Sequence, residues 1–172
     1  MSKTKTRAWT YEGIPLLMLH LALPYGYQEG IDAYYEEVAK GAVDACDRHF
    51  TAITSHLAER GDRLQAVRQG RESFSLLCKE TVVGEYLFVE ETYSYSAKGR
   101  ETEHHSRCFR LTDGACIPLS VLLPPSKLSA YKRAGLLPKK LSSRHLARLP
   151  FHLTKEGLSL YFSGVWYPLP LA

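Results

Sequence analysis

The chain has 172 residues, a length that favours one domain built around a single hydrophobic core. Apolar residues make up 45% of it and charged residues 23%, both near globular averages, which excludes a globally disordered chain. The formal net charge is +4, a mild excess compared with the concentrated basic faces of nucleic-acid-binding proteins, so we expect no nucleic-acid partner.

The N-terminal segment resembles a signal peptide only superficially. A basic start precedes the apolar run Ile14 to Leu23, but Glu12 lies between them and no small-residue cleavage site follows. The run is also about half the length of a membrane span, so we expect no transmembrane segment. Because it is continuously apolar, we predict a strand that lies centrally in a sheet, preceded by an irregular segment at residues 1–13.

The clearest helix prediction covers Glu29 to Arg60. Acidic residues crowd its first half, which is favourable beside the positive end of a helix. Gly41 suggests a bend or close packing, and Gly61 suggests a C-cap. Mostly apolar residues recur at steps of three and four, so they form one helix face, and this face predicts packing against a sheet. That face comprises Ile31, Tyr35, Val38, Ala42, Ala45, His49, Ile53 and Leu57.

After Gly70 the apolar pattern changes to a period of two, which is typical of strands. We predict strands at Phe74–Cys78, Tyr86–Tyr95 and His105–Leu111, joined by turns. The loop from Ala97 to His105 is expected between the second and third of them.

The last third of the chain predicts short helices followed by a hairpin. A helix from Ser126 to Ala134, with Ser126 as N-cap, precedes a helical turn within Leu141–Leu149. Phe151–Thr154 and Leu158–Ser163 form the hairpin. Because prolines disfavour a sheet interior, we expect residues 165–172 to be irregular. The predicted class is α+β, with the long N-terminal helix packed on one face of an antiparallel sheet and a short helix before the terminal β-hairpin.

The terminal hairpin carries a family resemblance. Residues Phe151 to Phe162 read FHLTKEGLSLYF, which resembles the pattern aromatic-x-Leu-Thr-x-x-Gly-Leu-x-aliphatic-x-Phe of the RsiV-like domain family. Residues Phe109 to Leu119 resemble the family's strand-turn-strand, and the likeness spans roughly residues 14 to 164. The resemblance implies an extracytoplasmic α+β binding or sensing domain from a Gram-positive bacterium. The family includes the exported part of a lysozyme-binding anti-sigma factor and noncatalytic domains that accompany cell-wall deacetylases.

The chain also departs from this family. Relatives commonly carry a Gly-Gly-Ala-His-like loop between the central strands, whereas this chain has Ser94 to Arg100 followed by Glu101 to His105. The acidic and aromatic segment after the final hairpin is replaced by Ser163 to Pro168. We therefore do not assign the family's lysozyme binding to individual residues of this chain. An extracytoplasmic or cell-surface location follows from the resemblance alone, and a cytoplasmic location is the alternative.

The sequence lacks a complete set of catalytic or metal-binding residues. Glu103 and His105 share a strand face, but two ligands do not close a metal site, so we expect no metal and no cofactor. Cys46 and His49 are helical neighbours, which leaves a cysteine and histidine hydrolase as an alternative. His152 is expected to fill an aromatic position in the hairpin. The four cysteines have no C-x-x-C spacing and are expected to be reduced and separately buried, with a Cys108–Cys116 disulfide across the turn between them as the alternative.

We therefore predict a noncatalytic binding domain whose partner is a protein or a cell-wall ligand. The predicted binding residues are Lys98, Arg100, Glu101, Glu103 and His105 in the loop, with Trp166 and Tyr167 in the tail, because loops on a rigid scaffold often carry binding residues. A further alternative is a basic interaction protein that uses the stretch Lys127 to Arg148, which has no acidic residue, to hold an anionic partner. The oligomeric state is not determined by these patterns.

Overall fold

The computed structural model describes residues 2–60, 71–97 and 99–170. It has eight strands and four helices in these parts of the chain. The strands are β1 (Ser2–Tyr11), β2 (Ile14–Pro24), β3 (Glu72–Val83), β4 (Tyr86–Ser96), β5 (Arg100–Arg110), β6 (Phe151–Leu153), β7 (Gly157–Phe162) and β8 (Val165–Pro170). The helices are α1 (Glu29–Arg60), α2 (Leu119–Leu122), α3 (Pro125–Arg133) and α4 (Ser143–Leu146).

Two sheets organise these strands. The larger has the order β1-β2-β3-β4-β5, and the smaller has the order β6-β7-β8. The chain divides into two compact units, Met1–Cys78 with Thr92–Glu103 and Lys79–Glu91 with His104–Ala172, so β3, β4 and β5 contribute to both. The α+β class, the long helix and the terminal hairpin are confirmed. That the whole chain forms one domain stays a prediction.

The larger sheet differs from the expected antiparallel sheet in the pairing of β2 with β3. β1 and β2 are antiparallel, but β2 and β3 are parallel, with Leu19 opposite Phe74 and Leu21 opposite Leu76. The physical reason is the long connection. Because α1 carries the chain back along the sheet before β3 begins, β3 starts at the same end as β2.

Ser2–Tyr11 and Val165–Pro170 form strands where irregular structure was expected. Lys3, Lys5 and Arg7 alternate with threonine and alanine, and this segment pairs with β2 as an exposed outer strand. Near the other end, β8 is the outermost strand of the smaller sheet, where a proline can replace an N–H without breaking the ladder. The short helix α3 begins at Pro125, with Pro124 rather than Ser126 at its N-cap.

The first unit has α1 packed against β2. At the start of α1, Ile31 and Tyr35 are buried, and near its end Ile53 and Leu57 form a cluster with Leu16 of β2. The predicted helix face is therefore buried at both ends. Its middle, from Val38 to Ala45, is less buried and borders the cavity described below. The predicted C-cap Gly61 lies outside the described residues.

The second unit has its own apolar core, in which leucines from the short helices pack with both sheets' aromatic residues. Phe88 of β4 and Phe151 of β6 meet at 5.4 Å between ring centroids. Its buried members are Val83, Phe88, Cys108, Leu119, Leu123, Leu128, Leu137, Leu141, Leu146, Phe151, Leu153, Leu158, Leu160 and Leu169. The fully buried Glu91 has Arg107 Nε at 3.4 Å, a pairing that offsets the cost of burying its charge.

Candidate functional site

The first unit contains a cavity of about 490 Å³ between α1 and the larger sheet. This volume lies within the range of small-molecule sites in proteins, roughly 300–1,000 Å³. Every strand from β2 to β5 contributes to its walls. The lining residues are Leu19, Leu21, Val38, Ala42, Ala45, Cys46, Phe74, Ser75, Leu76, Tyr93, Ser94, Tyr95, Glu101 and Glu103.

The cavity follows from the side chains that the helix and the strands place opposite each other. The parallel register of β2 and β3 sets Leu19 beside Phe74 and Leu21 beside Leu76 on the floor. Above them α1 presents Ala42 and Ala45, which are too small to fill the space that larger residues fill near the helix ends. The cavity reaches solvent where Ala45, Glu101 and Glu103 are exposed.

A hydrogen-bonded group of three side chains holds one wall in place. The Tyr95 hydroxyl donates to Glu72 Oε2 at 2.8 Å, and His49 Nε2 lies 2.5 Å from the same oxygen. Since a carboxylate oxygen only accepts, Nε2 carries the proton in this arrangement. The Tyr95 ring stacks on Phe74 with 4.4 Å between centroids, and His49 meets both rings edge-on. Both aromatic rings are therefore fixed in position.

This network also raises the pKa of Tyr95 to about 12. Burial is the largest cause, followed by the hydrogen bond to Glu72 and by the negative charges of Glu72 and Glu101. The hydroxyl is consequently neutral at physiological pH and acts as a donor to Glu72.

Cys46 is the candidate nucleophile of the hydrolase alternative, and its surroundings oppose that chemistry. The residue is 2% exposed. Burial raises the pKa of its thiol, the charge of Asp47 raises it further, and Arg7 lowers it. A reactive cysteine needs the opposite shift, because the thiolate is the attacking species. The Nε2 atom of His49 is already engaged by Glu72, which leaves that nitrogen unable to act as a base toward the thiol.

The predicted loop from Ala97 to His105 is mostly strand in the structure. Arg100, Glu101, Glu103 and His105 lie in β5 and are all exposed, and Lys98 lies outside the described residues. Glu101 and Glu103 share one face of the strand and border the cavity, whereas Arg100 is on the opposite face. The structure thus brings two of the predicted binding residues to the mouth of one site.

Trp166 and Tyr167 lie in β8 of the second unit, and as neighbours on a strand they face opposite sides. Trp166 is 50% exposed and its ring centroid is 5.2 Å from that of Tyr161 on β7. Tyr167 is partly buried and packs against the core of the second unit. Of the two, Trp166 is therefore the residue accessible to a partner.

The remaining histidines and acidic residues do not assemble a metal site in the described part of the chain, where no group of three or more candidate ligands is close enough. His152 Nδ1 lies 2.8 Å from Glu90 Oε1, and the ring meets Phe88 edge-on. His152 of β6 therefore packs against β4. No helix among residues 2–60, 71–97 and 99–170 is both long and apolar enough to cross a membrane.

Sequence reasoning missed the cavity and the Glu72 network. The cavity residues did carry a sequence signal, because they occur as pairs spaced by two that share a strand face. The pairs are Phe74 and Leu76, Tyr93 and Tyr95, and Glu101 and Glu103. The helical face was also visible, with small residues at its centre. What the pattern did not contain was the strand register that brings these faces to one place.

Comparison with known proteins supports the fold. No family model and no curated protein matches the sequence. Among solved structures, the chain is similar to a DUF3298 family protein from Pseudomonas aeruginosa PAO1. The identity is 12% over 99% of this chain and 89% of that chain, with a TM-score of 0.53. At this identity the similarity shows a shared fold alone.

Proposed function

We propose that this protein is a noncatalytic binding or sensing domain that acts outside the cytoplasm and recognises a cell-wall hydrolase or a cell-wall component. The extracytoplasmic location and the partner class rest on the RsiV-like terminal hairpin, Phe151 to Phe162. Fold similarity to a DUF3298 protein is consistent with this class but assigns no partner, because one fold hosts many functions. The bacterial cell envelope is the proposed setting.

The observation that carries a binding role is the exposed first half of β5. Residues 100–105 are exposed one after another, and β5 is the last strand in the order of the larger sheet. The backbone of such an edge strand can pair with a strand of a partner chain, and alternate side chains then set specificity. Arg100, Glu101 and Glu103 supply both signs of charge along this segment.

The noncatalytic part of the proposal rests on Cys46 and His49. With the thiol buried and protonated, we expect native Cys46 to react with a thiol-labelling reagent much more slowly than it does in the denatured chain. The exposed Cys116 should react first and serves as the internal control. Rapid labelling of native Cys46, located by peptide mapping, would instead favour the hydrolase alternative.

The binding part is tested by capture of lysozyme-class hydrolases and of peptidoglycan fragments on the immobilised protein. We expect micromolar or tighter binding of one of them by the native chain, and at least a fivefold loss in the R100A/E103A double variant. K155A/E156A, which removes one cation and one anion from the exposed turn between β6 and β7, is the matched control. Binding that R100A/E103A leaves unchanged in affinity and on-rate rules out β5 as the site. Absence of any binding removes the proposed partner class.

A further inference from the structure

We propose that the cavity in the first unit binds a small amphiphile, with an apolar body between α1 and the sheet and a single cationic group at Glu101 and Glu103. This inference shares Glu101 and Glu103 with the proposed partner surface on β5, but it concerns a different kind of ligand and is tested by a different experiment. It rests on three properties of the cavity: its apolar walls, its fixed aromatic side and the sign of charge at its mouth.

The walls favour an apolar ligand body. Protein interiors are close-packed and keep few voids larger than a water molecule, so a cavity of about 490 Å³ beside the helix is a departure from ordinary core packing. Leu19, Leu21 and Leu76 form the floor, and Ala42 with Val38 forms the helical side. A hydrocarbon placed there removes apolar surface from water on both partners, which is favourable in proportion to the area buried.

The aromatic side is held in place before any ligand enters. Phe74 and Tyr95 are stacked, and the hydrogen bond from Tyr95 to Glu72 fixes the tyrosine ring. Because the Tyr95 hydroxyl donates its hydrogen bond to Glu72, Tyr95 contacts the cavity mainly through its ring. A wall that is already ordered lowers the entropy cost of binding.

The mouth of the cavity selects a cation. Glu101 and Glu103 project from the same face of β5, both are exposed, and both border the cavity. None of the described lining residues is lysine, arginine or histidine. An ammonium group at this position meets two carboxylates, and the rings of Tyr93 and Tyr95 also favour a cation over an anion. A carboxylate at the same position is repelled.

The test uses three probes with the same eight-carbon chain and different head groups: octylammonium, 1-octanol and octanoate. Binding is measured by isothermal titration calorimetry and by amide chemical-shift mapping, at concentrations below micelle formation. We expect the order octylammonium, then 1-octanol, then octanoate, with shifts concentrated on α1 and on β2 to β5 around the lining residues. Failure of both octylammonium and 1-octanol to bind at millimolar concentration overturns the proposal. Octanoate binding as tightly as octylammonium overturns the choice of a cation.

Two variants separate the apolar and the charged contributions. A42L fills the cavity from the helix side and should weaken all three probes at least tenfold, whereas A52L places the same change at an exposed position of α1 as the control. E101Q/E103Q keeps the shape and removes both charges. It should weaken octylammonium about fivefold and leave 1-octanol unchanged. E37Q/E59Q, with two exposed acids of α1 neutralised, is its control.

Melting curves show whether each variant is folded, and A42V, which adds less volume, replaces A42L if that variant melts early. If the filled-cavity variant (A42L or A42V) and E101Q/E103Q both bind octylammonium as tightly as the native chain does, the probe binds elsewhere and the proposal is overturned. The filled-cavity variant should still capture the macromolecular partner as the native chain does. Failure of the cavity proposal and failure of the proposed function are therefore read from different experiments.

Discussion

Tyr95 connects the aromatic wall of the cavity to a measurable titration. Because its pKa in the folded chain is about 12, above the ordinary value of about 10, the neutral hydroxyl stabilises the fold fully below pH 10. That contribution is lost as the pH rises through about 12. We expect ultraviolet titration of the folded protein to show a late phenolate step that is smaller in Y95F.

The late step is not expected to vanish in Y95F, because burial also raises the pKa of Tyr86. Y25F, which removes an exposed tyrosine, is the matched control and should leave the late step intact. An undiminished late step in Y95F would show that the Tyr95–Glu72 hydrogen bond does not form as described.

Gly157 is a second residue whose role is decided by a single contact. A Cβ added there would overlap the carbonyl oxygen of Leu169, a backbone atom of the neighbouring strand β8. The strands must separate to admit it, so we expect G157A to lower the free energy of unfolding by about 1–3 kcal/mol, measured by urea titration. At Gly99 the same added Cβ meets no described atom within 4 Å beyond its chain neighbours, so G99A should change stability little.

The long helix α1 holds a glycine that its packing does not require. Gly41 was expected to mark a bend or close packing, but a Cβ there meets none of the described atoms within 4 Å outside the local helix. Alanine should therefore stabilise the helix. We expect G41A to raise the free energy of unfolding by about 1 kcal/mol and the melting temperature by about 2–4 °C.

The control for Gly41 is Gly26, which is equally open but has φ +78°. Because an L-residue is strained in that conformation, G26A should destabilise the protein while G41A stabilises it. A fall in melting temperature for both variants would mean that α1 needs the glycine for a reason other than packing.

Elements with a strong local pattern were predictable, and those defined by pairing were less so. The face from Ile31 to Leu57 specified α1, and the apolar run from Ile14 specified β2. β1 was missed because its lysines and arginine are typical of a solvated chain end. The segment forms a strand because it pairs with β2. The cavity was missed for a related reason. Its walls come from α1 and four strands, and the pairing of those strands, including the parallel register of β2 and β3, brings them together.

The net charge of +4 bears on the alternative of an anionic partner. The basic stretch from Lys127 to Arg148 is largely exposed but is spread over α3, α4 and the segment between them. We therefore expect no retardation of duplex DNA or RNA in a gel-shift assay at physiological salt. A shift that weakens steeply with salt and is reduced in K139Q/K140Q would show this prediction to be wrong.

The parallel pairing of β2 with β3 has a consequence for the order in which the chain is made. β1 and β2 are separated by two residues and can pair as soon as both leave the ribosome, but each β3 partner of β2 is about 55 residues further along. At ordinary synthesis rates that interval is on the order of several seconds. During it α1 is the element available to cover Leu16 and its apolar neighbours on the nascent hairpin. We therefore expect early folding of α1 to limit aggregation of the new chain, a role that is separate from its place beside the cavity.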